Sequence, residues 1–515
     1  MRKFALRAAS AALLLAASPP AAAASPSPSA QARVEEVLAT IGTEDQAALE
    51  RFVARTWSPK ALAEYPVEDH ASTLARIVME THGLKLERMA GEGPGWIQAR
   101  TRSTLTGVDY CLTLNREQGD GRDYLTDLSI KAIFPAGPEL KPPTPEELSR
   151  RAEALIGAYD RIGQFGGVVL IAKDGKAFFR RAYGKASLAY DRPVTLDTRL
   201  STASIAKSFT GVAIAQLVEA GKLSYDTRVG EVLPDYPNPT VREKVTVRML
   251  LTHTSGLGDI FDHPKWPTLR TRIKDVKGYM ALAAERPLLF QPGEKYDYSN
   301  VGYVMLGAII EKVSGQDFYD YVRDRIFVPA GMTRSSYPLA DAEAPDMAGQ
   351  FTEFRDQGET GYVYKLGPPR NAILQGGLRG GPPGGAMVTG DDLMAFEAAF
   401  RSGKLVSPAM VRLMTTPAGP SVGGRRGAIA SERPGLGLQL ITTNGHVQEG
   451  HAGGDFGIIS WAYHYPDTGY TVVALTNRDR PGRVLNALLT GLITRQTIKG
   501  ATPPPQDCVP PEAKG

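Results

Sequence analysis

Ser204-Ile205-Ala206-Lys207 places an alcohol and an amine one helical turn apart at the head of a long apolar run. Residues three apart on a helix share a face, so the amine reaches the hydroxyl. A serine hydroxyl becomes a nucleophile when a neighbouring base takes its proton. Lysine serves as that base only where burial or nearby cations keep it neutral. The pattern occurs once here, although roughly one or two chance matches are expected in a chain of this size.

Two further groups complete a reaction centre. Tyr298-Ser299-Asn300 directly precedes an apolar run through Val304, Leu306, Ile309 and Val313. A phenol at such a loop-to-helix junction can exchange protons with the Ser204/Lys207 pair, and the Asn300 amide can bond both Lys207 and a substrate amide. His451-Ala452-Gly453-Gly454 precedes a strand-like run from Ile458. Its small residues let a substrate lie against backbone, with the N–H groups of Ser204 and Gly454 as an oxyanion hole and His451 and Gly453 as substrate contacts. Singly, each group has a plain structural reading: a surface helix turn, a core aromatic, a strand-edge imidazole. Their joint order argues for chemistry.

In these motifs the chain resembles the serine β-lactamase and penicillin-binding superfamily, most closely its class C-like branch, over about Pro145 to Arg495. Leu250-Leu251-Thr252-His253-Thr254-Ser255-Gly256-Leu257 is similar to a segment common in that branch. The resemblance implies an acylated nucleophile at Ser204, proton transfer by Lys207 and Tyr298, and positioning by Asn300. It also implies an α/β (α+β) fold, an antiparallel sheet flanked by helices with an inserted helical region. The third motif departs from the Lys-Thr-Gly usual in β-lactamases, since His451 and Ala452 supply neither a fixed charge nor a hydroxyl for a carboxylate. D-aminopeptidases and family VIII esterases carry His-x-Gly here, which turns the expectation toward an esterase or D-amino-acid peptidase. The alternatives are a β-lactamase or D-Ala-D-Ala carboxypeptidase and, from another class, a non-catalytic sensor or scaffold.

Several elements must hold these groups. Ser201 and Thr202 are expected to cap the Ser204 helix and Gly221 to end it. Gly167–Ala172 and Ala177–Tyr183 read as a hairpin around Asp174-Gly175, and Gly435–Thr442, Ile458–Tyr465 and Tyr470–Thr476 read as strands. A sheet built from both ends of this region, with helices between, satisfies that order. The glycines from Gly376 to Gly385 read as tight packing beside the site, because no Walker lysine follows to make a phosphate cradle. His253 reads as a wall residue with its ring N–H tied to backbone, and Trp266 and Tyr362, as single aromatics, read as core.

Upstream, helices near Val34, Gln46–Val53 and Thr73–Met79 are followed by strand-like runs Leu84–Met89, Trp96–Thr101, Asp109–Leu114 and Tyr124–Ile133. The expected division is a signal peptide over 1–24, an α+β accessory domain over 25–134 opening on a Ser/Pro/Ala linker to Ala30, a Pro-rich linker over 135–145, the hydrolase domain over 146–497 and a Pro-rich tail over 498–515. Arg2, Lys3 and Arg7 precede an apolar stretch too short to span a bilayer comfortably. That pattern predicts export to the periplasm or medium without a stable membrane anchor.

Hydrophobic residues make up 42% of the 515, ample for a substantial core. The net charge of +4 mixes both signs, with no basic run interleaved with aromatics, so no nucleic-acid partner is expected. Cys111 and Cys508 are the two cysteines, too few for a metal cage. An oxidising compartment permits one bridge, but two unrelated thiols are the favoured reading, because Cys508 lies in the tail. No metal or organic cofactor is expected, and the partner is a small-molecule ester or peptide.

Overall fold

The computed structural model describes residues 28–134, 140–342, 344–356, 362–373, 375–422, 430–479, 481–496, 498 and 508. The expected signal peptide and nearly all of the tail lie outside the described residues.

The amino-terminal unit packs helices α1 (Pro28–Ile41), α2 (Gln46–Thr56), α3 (Pro59–Glu64) and α4 (Val67–Thr81) against four antiparallel strands in sequential order. These are β1 (Leu84–Gly93), β2 (Trp96–Ser103), β3 (Asp109–Gly119) and β4 (Arg122–Ala132). Val34, Phe52, Leu74, Ile97, Leu112 and Leu125 meet in one core there. The expected linker to Ala30 is corrected: Pro28–Ala30 form the first turn of α1, where a proline's missing N–H costs nothing.

The second correction is covalent. Cys111 in β3 is bonded to Cys508, with Cα atoms 5.2 Å apart. Cys508 lies against this sheet, its sulfur 3.6 Å from the Ala99 carbonyl oxygen of β2.

α5 (Pro145–Arg161), capped by Thr144, opens the larger unit. β5 (Gly167–Lys173) and β6 (Lys176–Tyr183) form the expected hairpin, with Asp174 and Gly175 both at positive φ, as a two-residue turn of this hand requires. The seven-stranded sheet runs Ala430–Pro434, Gln439–Thr443, His446–Asp455, Ile458–Tyr465, Tyr470–Thr476, β5, β6, antiparallel throughout. Strand periodicity sorts its two faces. Val168, Leu170, Val473 and Leu475 face the large core shared with the inserted helices. Val169, Ile171, Val472 and Ala474 face α5 and the Gly482–Ile493 helix. Gly435 instead turns the chain, its N–H donating to the Leu438 carbonyl, so that strand starts at Gln439, four residues later than expected.

The two units interlock. Phe354–Asp356 pairs with Tyr362–Tyr364, and Tyr364 is buried in the amino-terminal core, its N–H donating to Ser72 Oγ of α4.

Candidate active site

Leu200–Ser201 pairs with Met387–Val388 and delivers the chain to Ser204 through one tight turn of 3-10 helix, Ala203–Ala206, before α6 (Lys207–Glu219) begins. Ala203 sits at φ 41°, a left-handed conformation that costs a residue with a Cβ about 1–3 kcal/mol. It is held by Gly385 N–H donating to its carbonyl and by its own N–H donating to Ser201 Oγ. The capping expectation is thus half corrected: Ser201 accepts a hydrogen bond at this turn, whereas the Thr202 hydroxyl is drawn away to the Ala386 carbonyl.

Lys207 is fully buried, and its Nζ lies 3.1 Å from Ser204 Oγ, 2.7 Å from Asn300 Oδ1 and 2.6 Å from the Pro383 carbonyl oxygen. The last two partners only accept. A neutral amine has two N–H donors and one lone pair; with both donors given to Asn300 and Pro383, the lone pair is left for the Ser204 hydroxyl. Burial drives the amine toward this neutral form and brings it down to about 7, against the opposing attraction of Asp259.

The Tyr298 phenol is placed beside the Ser204 side chain. Desolvation raises this phenol well above the ordinary tyrosine value, and the Ser204 side chain opposes the shift. Lysine and tyrosine are therefore pushed in opposite senses, one toward a base and the other toward a retained proton. Ser299 caps the Asn300–Ser314 helix by accepting from Gly302 N–H, which fixes Asn300 in its first turn. The Lys207 Nζ also lies 4.8 Å from the Tyr298 ring centre and 5.2 Å from that of Tyr303.

The loop around His253 acts through its imidazole. The ring stacks on Tyr298 at 4.4 Å, and its Nδ1 accepts from Ser299 N–H at 3.1 Å. The expectation of a ring N–H tied to backbone is corrected at this nitrogen, which is the acceptor. Burial, then the Lys207 charge, holds His253 well below its usual range, so it is a neutral wedge.

His451, Gly453 and Asp455 share one face of the His446–Asp455 strand, since side chains alternate. Gly453 meets the nucleophile: a Cβ there would stand 2.3 Å from the Thr202 carbonyl oxygen and 2.7 Å from Ser204 N. Gly454 follows at the cleft. His451 is 2% exposed and donates its Nδ1–H to the Ala452 carbonyl. Burial, then Lys207, brings it down to about 3, so it carries no charge near neutrality. The structure thus brings Ser204, Lys207, Tyr298, Asn300, His451, Gly453 and Gly454 to one locus.

Beyond this locus opens a cleft of about 150 Å³. Ser204, Asn300, Gly454, Trp266, Tyr279 and the glycine-rich segment from Gly376 to Gly385 line it. Trp266, read as core, is therefore a wall residue as well. Sequence reading missed three more participants. Asp259 accepts from Asn300 Nδ2 at 2.7 Å; its position two residues after the Leu257 end of the His253 segment was the available signal. Asp455, directly after His451-Ala452-Gly453-Gly454, lines the cleft. Pro383 contributes only a carbonyl, which no side-chain pattern reveals. Among the described residues, no cluster of His, Cys, Asp or Glu has metal-binding geometry.

The Beta-lactamase family model matches residues 152–493, more than half of the chain, and the chain belongs to that family. It is 30% identical over 332 residues to Penicillin-binding protein 4* of Bacillus subtilis, covering 63% of this chain and 71% of that protein. To a D-aminopeptidase of Cereibacter sphaeroides it is 27% identical over 366 residues, covering 70% of this chain and 65% of the relative. Among solved structures, a penicillin binding protein from Bacillus halodurans superposes with a TM-score of 0.56 at 28% identity, covering 68% of this chain and all of the other. The expected fold class is what these likenesses show.

Proposed function

We propose that this protein is a serine hydrolase that acylates Ser204 with an ester or a peptide amide and releases the acyl group to water. The observation that carries this reading is the buried Lys207 amine, 3.1 Å from Ser204 Oγ and held on its other sides by two pure acceptors, Asn300 Oδ1 and the Pro383 carbonyl oxygen. In the cycle, Lys207 removes the Ser204 proton as Oγ attacks the carbonyl carbon, and the N–H groups of Ser204 and Gly454 receive the oxyanion. Tyr298 then protonates the leaving group and recovers its proton through the same relay when water attacks the acyl-enzyme.

Ser204→Ala is expected to lower turnover of p-nitrophenyl acetate or butyrate by about 10⁴–10⁶-fold. Turnover retained in that variant overturns the assignment.

The uncharged, buried His451 offers no cation to a C-terminal carboxylate, which supports the esterase or aminopeptidase reading over a carboxypeptidase. The likeness to penicillin-binding proteins keeps the β-lactamase reading as second, and nitrocefin hydrolysis discriminates the two. A sensor without turnover would show no labelling of Ser204 by a fluorophosphonate. Export and removal of residues 1–24 remain part of the proposal, supported by the Cys111–Cys508 bond, which an oxidising compartment sustains. Among the described residues, no helix is long and apolar enough to cross a membrane. We also divide the chain at the 135–145 segment into an accessory and a hydrolase domain, since each side has its own apolar core.

A further inference from the structure

The walls of the cleft carry two charged side chains among the described lining residues, Arg379 and Asp455. Arg379 is already engaged. Its Nε donates to the Tyr337 carbonyl at 2.7 Å, its Nη1 to the Lys274 carbonyl at 3.3 Å, and its guanidinium lies 3.5 Å from the Tyr319 ring centre. Asp455 stays accessible at the mouth of the cleft while neighbouring atoms crowd its carboxyl, one residue past Gly454, on the strand face that Gly453 presses against Ser204 N.

Its surroundings suit a cation. Oδ1 accepts from Phe456 N–H at 2.8 Å, and Oδ2 faces Gly376, 3.7 Å from where a Cβ would stand. At the adjoining Gly377, a Cβ would stand 2.9 Å from Tyr279 Oη and 3.3 Å from Trp266 Cη2. Gly376 thus lies against the carboxylate and Gly377 packs closely against the two rings, so the same stretch of cleft wall carries a carboxylate and two aromatic side chains, a combination that favours an ammonium group. Desolvation brings the Asp455 carboxyl up to about 6, and the nearby Arg270 charge counters this, so it is largely ionised at neutral pH. Arg270 itself donates from Nη1 to the Gln375 carbonyl at 3.0 Å.

We propose that Asp455 binds the free α-ammonium of the substrate, making the preferred substrates amides or esters of amino acids, or peptides, cleaved at the first carbonyl. The inference rests on acylation of Ser204 as set out above. Its distances agree with that chemistry. In an amino acid the α-nitrogen stands about 2.4 Å from the carbonyl carbon and reaches a further ~2.8 Å through a charge-assisted hydrogen bond. Two strand residues separate Asp455 from Gly453 by about 7 Å, a gap that the reach of the α-nitrogen and the length of an aspartate side chain together cover. Trp266 and Tyr279 would cover the remaining faces of the ammonium.

The test compares kcat/KM for alanine p-nitroanilide, in both enantiomers, with N-acetyl-alanine p-nitroanilide. The proteins are the wild type, Asp455→Asn, Asp455→Glu and Ser204→Ala. The wild type is expected to favour the free amine. Asp455→Asn should cut the ratio of free-amine to acetylated kcat/KM at least tenfold, chiefly through KM, and Asp455→Glu should restore part of it. Because both substrates are read on one preparation, a loss of folded enzyme does not move the ratio. A wild type that prefers the acetylated substrate or cleaves neither, or a ratio unmoved by Asp455→Asn, overturns the inference. Turnover persisting in Ser204→Ala overturns the acyl-enzyme reading itself, a separate outcome.

Discussion

Asn300 Nδ2 donates to Asp259 Oδ2 at 2.7 Å, and this contact decides which end of the Asn300 amide meets Lys207. With the NH₂ group committed to a carboxylate, Oδ1 points at the amine and accepts from it. Asp259 also favours the charged form of Lys207 by direct attraction. Asp259→Asn keeps an acceptor for Asn300 but removes the charge, so the amine titrates lower. The acid limb of kcat/KM should move to lower pH, with the plateau rate reduced at most about tenfold, because a neutral amide oxygen holds Asn300 less firmly than a carboxylate. A limb that stays in place or moves upward would contradict this coupling.

In the wild type the same limb should lie near pH 7, where the buried amine takes up its proton. A protonated Lys207 has no lone pair for Ser204, so kcat/KM should fall about tenfold for each pH unit below that point. Stopped assays with an uncharged ester from pH 5 to 9 would show it, free of any titration of the substrate.

Gly453→Ala tests the contact between the third motif and the nucleophile. The added methyl would overlap the Thr202 carbonyl oxygen and Ser204 N, both backbone atoms of the strained turn at Ala203. Overpacking of this kind costs about 1–3 kcal/mol. Displacement of Ser204 should lower kcat by two orders of magnitude or more. Thermal melting and steady-state kinetics on the same sample would separate the two effects.

Tyr298→Phe removes the phenolic proton and leaves the ring stacked on His253. Turnover should fall about 10²–10⁴-fold, the usual worth of a positioned acid or base. An ester with a good leaving group needs less help in departing, so p-nitrophenyl acetate should suffer less than an amide. Equal losses on both would argue that Tyr298 acts on Ser204 alone.

Much of this was legible because side-chain patterns carry it. The unbroken apolar runs Val168–Ile171 and Val472–Leu475 mark strands buried on both faces, and Asp174-Gly175 marks the turn between β5 and β6. Ser204, Lys207, Tyr298 and His451 were found as residue types in order. What escaped depends on relations that residue types do not encode. Pro383 acts through its carbonyl, and Asp259 acts through the amide of Asn300, 41 residues away. Trp266 is at once core and cleft wall, its ring lying against Gly377 where a side chain would have covered it. The partnership of Cys111 with Cys508, separated by 397 positions, depends on the path of a tail whose composition predicts no element.

That long-range bond makes the protein a closed ring through most of its length. A protease that nicks any loop between residues 111 and 508 leaves both fragments tethered, so cleavage there would pass unseen on a gel run without reductant. The ring also cannot be sealed until residue 508 has been synthesised, which places oxidation after the whole region from Ser204 to His451 has emerged.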